Sequence, residues 1–172
     1  WRIAKARYAL DRSGAGGLAD GGRWHARGLP VIYAGLSVEI CALEKLAHTG
    51  ALLPADLQLV SLTLPDDAAL YETAEPDGLP NWEAMPPGAA SIAFGSDFLR
   101  SGRALGLIVP SAIVPEARNL IVNPLQVCLA LLVALLVEQA VRGVGFFRSI
   151  YLLPIAISLN VSAIVWGLAL SQ

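Results

Sequence analysis

Apolar residues along this chain fall into short runs, and the spacing within each run predicts an element. "LPVIYAG" is an apolar run bounded by Pro30 and Gly35, which predicts a buried strand. "SVEICALEKLAH" follows with Ser37 placed as N-cap and Gly50 just past its end, which predicts a helix over Ser37–His48. "DLQLVSLTLP" (Asp56–Pro65) alternates, with Val60, Leu62 and Leu64 on one face, and predicts a strand. The stretch 68–91 is rich in Pro and acid and reads as a long irregular connection, after which "DFLRSG" (Asp97–Gly102) closes a short helix. "ALGLIVPSAIVP" and "RNLIVNP" give two more strands separated by a turn, while the glycine-rich, basic residues 1–30 read mostly as loop. Strands dominate and no strict βαβ repeat appears. The expected class is α+β, a mixed sheet with flanking helices.

The pattern changes near residue 125. The chain carries 12 basic and 14 acidic side chains, yet from Leu125 to Gln172 only Glu138, Arg142 and Arg148 are charged. A mean hydropathy of +0.59 is therefore the average of two unlike parts. We expect a domain over 1–126 and a hydrophobic helical tail over 127–172.

Composition narrows the chemistry. A net charge of −2 supplies no basic patch, so direct nucleic-acid binding is not expected. Cys41 and Cys128 are isolated in the sequence, which argues against a disulfide framework or a zinc site and fits a reducing, cytoplasmic setting. His25 and His48 lack partners at metal-ligand spacing, so no metal is expected.

Two positions carry candidate chemistry on residue type alone. Arg23 follows Gly21 and Gly22, and a glycine-loosened loop presenting a guanidinium suits an anion. A hairpin turn with a surface arginine explains the same residues equally well. On a helical wheel Glu44 shares a face with Ile40, Cys41 and Ala47, whereas Glu39 and Lys45 point elsewhere. An acid among apolar neighbours is costly unless it is paired or used.

Taken in order, "GGRW" (Gly21–Trp24), Tyr33 in the next strand, "ALEKLAH" around Glu44, "VPSA" around Ser111 and "RNLIVNP" resemble the RES domain, a family named for an arginine, a glutamate and a serine. The resemblance covers about residues 1–124. It implies a fold similar to ADP-ribosyltransferases and the activity of an NAD⁺-degrading toxin, as NAD⁺ phosphorylase or glycohydrolase, held in check by a helix-turn-helix antitoxin. NAD⁺ is then substrate, phosphate a candidate co-substrate, and no separate cofactor is needed. Cleavage of the nicotinamide–ribose bond builds positive charge on the ribose, and a nearby carboxylate stabilises it. The resemblance assigns that carboxylate to Glu44 and the grip on pyrophosphate or incoming phosphate to Arg23. Tyr33 would meet the nicotinamide half, and Ser111 would hydrogen-bond the ligand. With no His or Asp beside it in the sequence, Ser111 is no triad nucleophile. Asn123, before Pro124, reads as a turn or strand cap. Two positions depart from the family pattern: His25, where asparagine is common, and "GSDFL" (Gly95–Leu99), where Gly-Asp-x-Trp is usual.

The tail points elsewhere. Ile150–Leu170 has no charge and is long enough to cross a bilayer, and Val127–Val141 is a shorter candidate carrying Glu138. "LLVEQAVRGVGFFRSIYLLPIAIS" resembles part of the membrane-spanning permease of sugar ABC importers. One or two transmembrane-type helices, and membrane association through 150–170, are expected on that ground. Arg142 and Arg148 in the short loop would hold it in the cytoplasm. If both segments span, the first domain then lies on the side away from cellular NAD⁺. That conflict supports a rival reading, an inactive chimeric fragment with a permease-derived tail. A second rival is a binder of NAD⁺ or ADP-ribose without catalysis.

Overall fold

The computed structural model describes residues 1–49, 53–129 and 131–132. Of the expected tail, residues 127–129 and 131–132 are described and helical; the rest of it, including Ile150–Leu170, and the Gly50 helix stop lie outside the described residues. Among the described residues no helix is long and apolar enough to cross a membrane.

In chain order the regular elements are β1 (Arg2–Lys5), the short helix α1 (Gly16–Ala19), β2 (Ile32–Gly35), α2 (Val38–Thr49), β3 (Leu57–Val60), β4 (Tyr71–Thr73), α3 (Ala89–Ser101), β5 (Gly106–Pro110) and β6 (Arg118–Val122). A four-stranded sheet runs β2-β6-β5-β4, and a separate antiparallel pair joins β1 to β3. Within the larger sheet β6 pairs antiparallel with both β2 and β5, and β4 lies parallel to β5. This is the mixed α+β arrangement expected.

Strand alternation divides the core into two clusters. Leu107 and Val109 of β5 and Ile121 of β6 pack with Trp24, Trp82 and Phe98. Leu120 and Val122 of β6 turn the other way, with Ile32 and Ala34 of β2 and with Leu70. Each such buried side chain contributes roughly 1.5–3 kcal/mol relative to exposure, and these apolar strand positions are the runs most visible in the sequence.

Residues 1–30 are mostly loop as expected, with Arg2–Lys5 paired to Leu57–Val60 and Gly16–Ala19 helical within them. Three expectations need correction. The 56–65 strand stops pairing at Val60, although Leu62 and Leu64 still pack inward against the second cluster. The stretch 68–91 contains β4, whose register with β5 runs Tyr71↔Gly106 to Thr73↔Ile108. The short helix ending near Gly102 is a full α3, closed by Gly102 in the left-handed region at φ 59°.

The remaining elements follow the sequence closely. In α2 the Ser37 hydroxyl accepts from the Ile40 amide at 3.4 Å, an N-cap bond. Asn123 is a buried cap: its Nδ2 donates to the Leu99 carbonyl at 2.8 Å and its Oδ1 accepts from the Leu125 amide at 3.1 Å.

Candidate functional site

One cleft of about 1100 Å³ runs between α2, β2, β1 and the loop before β2, and its wall includes Arg23, Tyr33, Glu44 and Asn119. Arg23 and Glu44 come from a loop and a helix separated by β2, and the fold brings both to this hollow.

Glu44 is held from below. Its Oε1 accepts two bonds, from Ser111 Oγ at 2.7 Å and from Asn119 Nδ2 at 2.6 Å. Ser111 has a single proton, and the reason it goes to Glu44 lies in the turn after β5. The amides of Ile113 and Val114 donate to the same hydroxyl oxygen at 3.1 and 3.2 Å, which leaves the O–H to point at the carboxylate. The Glu44 side chain is 23% exposed. Its second oxygen, Oε2, lies 3.7 Å from His48 Nδ1, a ring nitrogen that donates instead to the Glu44 backbone carbonyl at 2.8 Å. Oε1 is thus the anchored oxygen and Oε2 the one left to meet a ligand.

Ser111 was expected to touch the ligand. It is wholly buried, does not line the cleft, and instead fixes the rotamer of Glu44. Asn119 escaped the sequence reading. It sits in β6 opposite Gly35 in one register and Val109 in the other, inside a run that reads only as strand. No local signal marks it, because its partner lies 75 positions away. Lys45, expected to point away from Glu44, also lines the cleft.

Arg23 is tethered by backbone. Its Nη1 donates to the carbonyls of Trp82 at 2.5 Å and Ala84 at 2.9 Å, both from the Pro-rich connection. Among the described residues no carboxylate pairs with it, so its charge has no internal counter-ion. Half of the fork holds the loop, and Nε and Nη2 have no partner among the described residues. Such a half-anchored guanidinium is preorganised to receive an anion.

Tyr33 and His25 explain Gly22, the second glycine of the pair ahead of Arg23. His25 Nε2 lies 3.0 Å from the Asp20 carbonyl, an acceptor only, so that nitrogen carries the proton. Nδ1 then accepts the Tyr33 O–H at 2.8 Å, and the Tyr33 oxygen accepts the Trp24 amide at 3.1 Å. The hydroxyl end of Tyr33 is buried in this network, while its ring borders the cleft. Burial drives the Tyr33 hydroxyl well above the ordinary phenol range despite the nearby Arg23 charge. Burial also lowers the His25 pKa, against the opposing hydrogen bond to Asp20. A Cβ at Gly22 would stand 2.8 Å from the Tyr33 hydroxyl and 2.9 Å from His25 Cε1. Glycine at 22 is therefore a requirement of this packing, whatever binds above it.

Known proteins add a second line of observation. The model of the RES domain matches residues 1–139, extending beyond the boundary at 126 expected from hydropathy. The chain is 43% identical over 130 residues to the Prs ADP-ribosylating toxin of Sphingobium sp. (strain YBL2), covering 72% of this chain and 81% of that protein. It is 36% identical over 128 residues to Toxin Res of Photorhabdus laumondii, with 73% and 81% covered. Toxin Res of Yersinia enterocolitica is 34% identical over 137 residues, with 76% and 89% covered. The match extends over most of the chain and of these relatives, and the chain belongs to the RES domain family.

Proposed function

We propose that the cleft cleaves the nicotinamide–ribose bond of NAD⁺ and that the protein acts as a toxin by doing so. The observation that carries this reading is the anchored Glu44, one oxygen fixed by Ser111 and Asn119 and the other left at the wall of a cleft shared with Arg23. As nicotinamide leaves with the bonding electron pair, positive charge grows on the ribose carbon, and Oε2 stabilises it. Arg23 holds the pyrophosphate or an attacking phosphate. Tyr33, pinned through its hydroxyl, offers its ring edge to the nicotinamide half. Phosphate or water closes the reaction at the ribose carbon, giving phosphorolysis or hydrolysis.

A second acceptor has support from the comparisons. The relative from Sphingobium is named as ADP-ribosylating. ADP-ribosylation by this cleft would break the same bond, with a protein side chain taking the place of phosphate or water. The family also suggests an antitoxin of helix-turn-helix type that covers the cleft, and a site of action in the cytoplasm, where NAD⁺ is held.

Incubation of the full chain with NAD⁺, with and without inorganic phosphate, tests the reading by nicotinamide release. Release that rises with phosphate and yields a phosphorylated ADP-ribose identifies phosphorolysis. Release independent of phosphate identifies hydrolysis, and release that appears only with cell extract identifies a protein acceptor. The product of an adjacent gene should suppress it. No nicotinamide under any of these conditions overturns the reading.

The support beneath Glu44 has its own consequence. Asn119→Ala removes one of two donors on Oε1, and Ser111→Ala removes the other. Each should lower kcat by roughly 10- to 100-fold with little change in KM, since a misplaced catalytic group costs about this much. A variant that raised KM alone would mean that its side chain contacts substrate rather than positioning Glu44.

A further inference from the structure

The Arg23–Glu44 part of the cleft leaves one wall without a task. The 3₁₀ turn Ala6–Tyr8, immediately after β1, places Arg7 and Tyr8 on the lining of the same cavity. Tyr8 is 49% exposed, and among the described residues its hydroxyl makes no hydrogen bond. Its packing partner is the Arg7 guanidinium, whose Cζ sits 4.6 Å from the ring centroid. A cation over an aromatic face is a favourable pair that holds the ring in place without burying it.

Charge favours an anionic ligand here. The chain as a whole carries −2, yet Arg2, Lys5, Arg7 and Lys45 join Arg23 around this hollow, against the three carboxylates Asp11, Asp20 and Glu44. An aromatic plane set among cations suits one ligand class, a planar base attached to phosphates. Bases stack on tyrosine and on arginine planes, and neighbouring cations take the phosphate charge.

We propose that Tyr8, backed by Arg7, is the stacking platform for the adenine of the dinucleotide. The inference rests on the NAD⁺ reading of the cleft and deepens it, because it assigns the end of the substrate remote from the reacting bond. A stack made equally in the ground state and the transition state contributes uniform binding, which lowers KM and leaves kcat alone.

Calorimetric titration of the full chain with ADP-ribose reads the platform without turnover. Tyr8→Ala should weaken binding about tenfold, within the range that loss of one base–aromatic stack produces. Tyr8→Phe should bind like the parent, since stacking needs the ring and not the hydroxyl. In nicotinamide release, Tyr8→Ala should raise KM for NAD⁺ by a similar factor at unchanged kcat, and an unchanged melting temperature excludes a folding defect. ADP-ribose binding to Tyr8→Ala as tight as to the parent overturns the proposal, as does a parent that does not bind ADP-ribose. If the parent binds ADP-ribose through Tyr8 but never releases nicotinamide, the cleavage reading falls and the platform stands.

Discussion

Glu44→Gln should abolish most nicotinamide release, lowering kcat by roughly 10³-fold, while the protein folds and melts like its parent. The size follows from removing the charge that opposes the cation forming on the ribose, where single preorganised electrostatic groups are worth about 10²–10³. The retained fold follows from geometry. Glutamine keeps a carbonyl oxygen that can accept from Ser111 and Asn119, so the two bonds that anchor the side chain survive. Only the oxygen left toward the cleft is exchanged for an amide. Glu44→Ala removes the acceptor as well and leaves the wholly buried Ser111 hydroxyl without its partner, so it should lose stability in addition to activity. The comparison separates charge from scaffolding. Nicotinamide release from Glu44→Gln at the parent's rate would remove Glu44 from the chemistry, whatever its bonds.

Glu44 was legible in the sequence because an acid on an otherwise apolar helix face needs a reason. The structure supplies two donors from β6 and the turn after β5. Neither was visible from local pattern. Ser111 was marked only by the family resemblance, and its direction is dictated by the Ile113 and Val114 amides, a property of the folded turn. Asn119 lies within a strand-forming run where a polar residue reads as alternation. Its role exists only once β6 stands beside β2 and beneath α2.

The elements divide on the same physical line. β5 and the Leu120–Val122 end of β6 carry continuous apolar runs because side chains on both faces are packed there, and such runs announce themselves. β4 has three residues, Tyr71 and Glu72 half-buried and Thr73 exposed, and it is a strand because β5 offers its backbone a parallel partner. β1 likewise owes its form to pairing with β3. The start of α3 was hidden because Gly88 supplies no side-chain cap and much of its inward face is small: Ser91, Gly95 and Ser96. The departure noted at "GSDFL" falls on this face.

Gly95→Ala should be the most damaging small substitution in the domain. A Cβ at 95 would stand 2.0 Å from the Trp24 carbonyl oxygen and 2.8 Å from its carbonyl carbon, so it meets backbone with no rotamer to yield. The two segments cannot simply part. Ser96 Oγ accepts the Ala26 amide at 2.8 Å and donates to the Ile92 carbonyl at 2.6 Å, which ties α3 to the loop at this level. Trp24 itself is 2% exposed and stacks on Trp82, with ring centroids 6.4 Å apart. Relief of the clash must therefore strain this bond or shift Trp24. Overpacking of this kind costs about 3 kcal/mol, and at roughly 2–4 °C per kcal/mol for a chain of this size it should lower Tm by about 10 °C. The damage reaches the cleft through the adjacent residue, because Arg23 is held to the carbonyls of Trp82 and Ala84 on the far side of the same packing. A displaced guanidinium should cost about tenfold in kcat/KM below the new melting point. Gly16→Ala is the control: a Cβ there meets nothing within 4 Å, and the site lies in α1, where alanine suits a helix better than glycine. Gly95→Ala melting within 2 °C of the parent would mean that α3 does not press on the arginine loop as the structure has it.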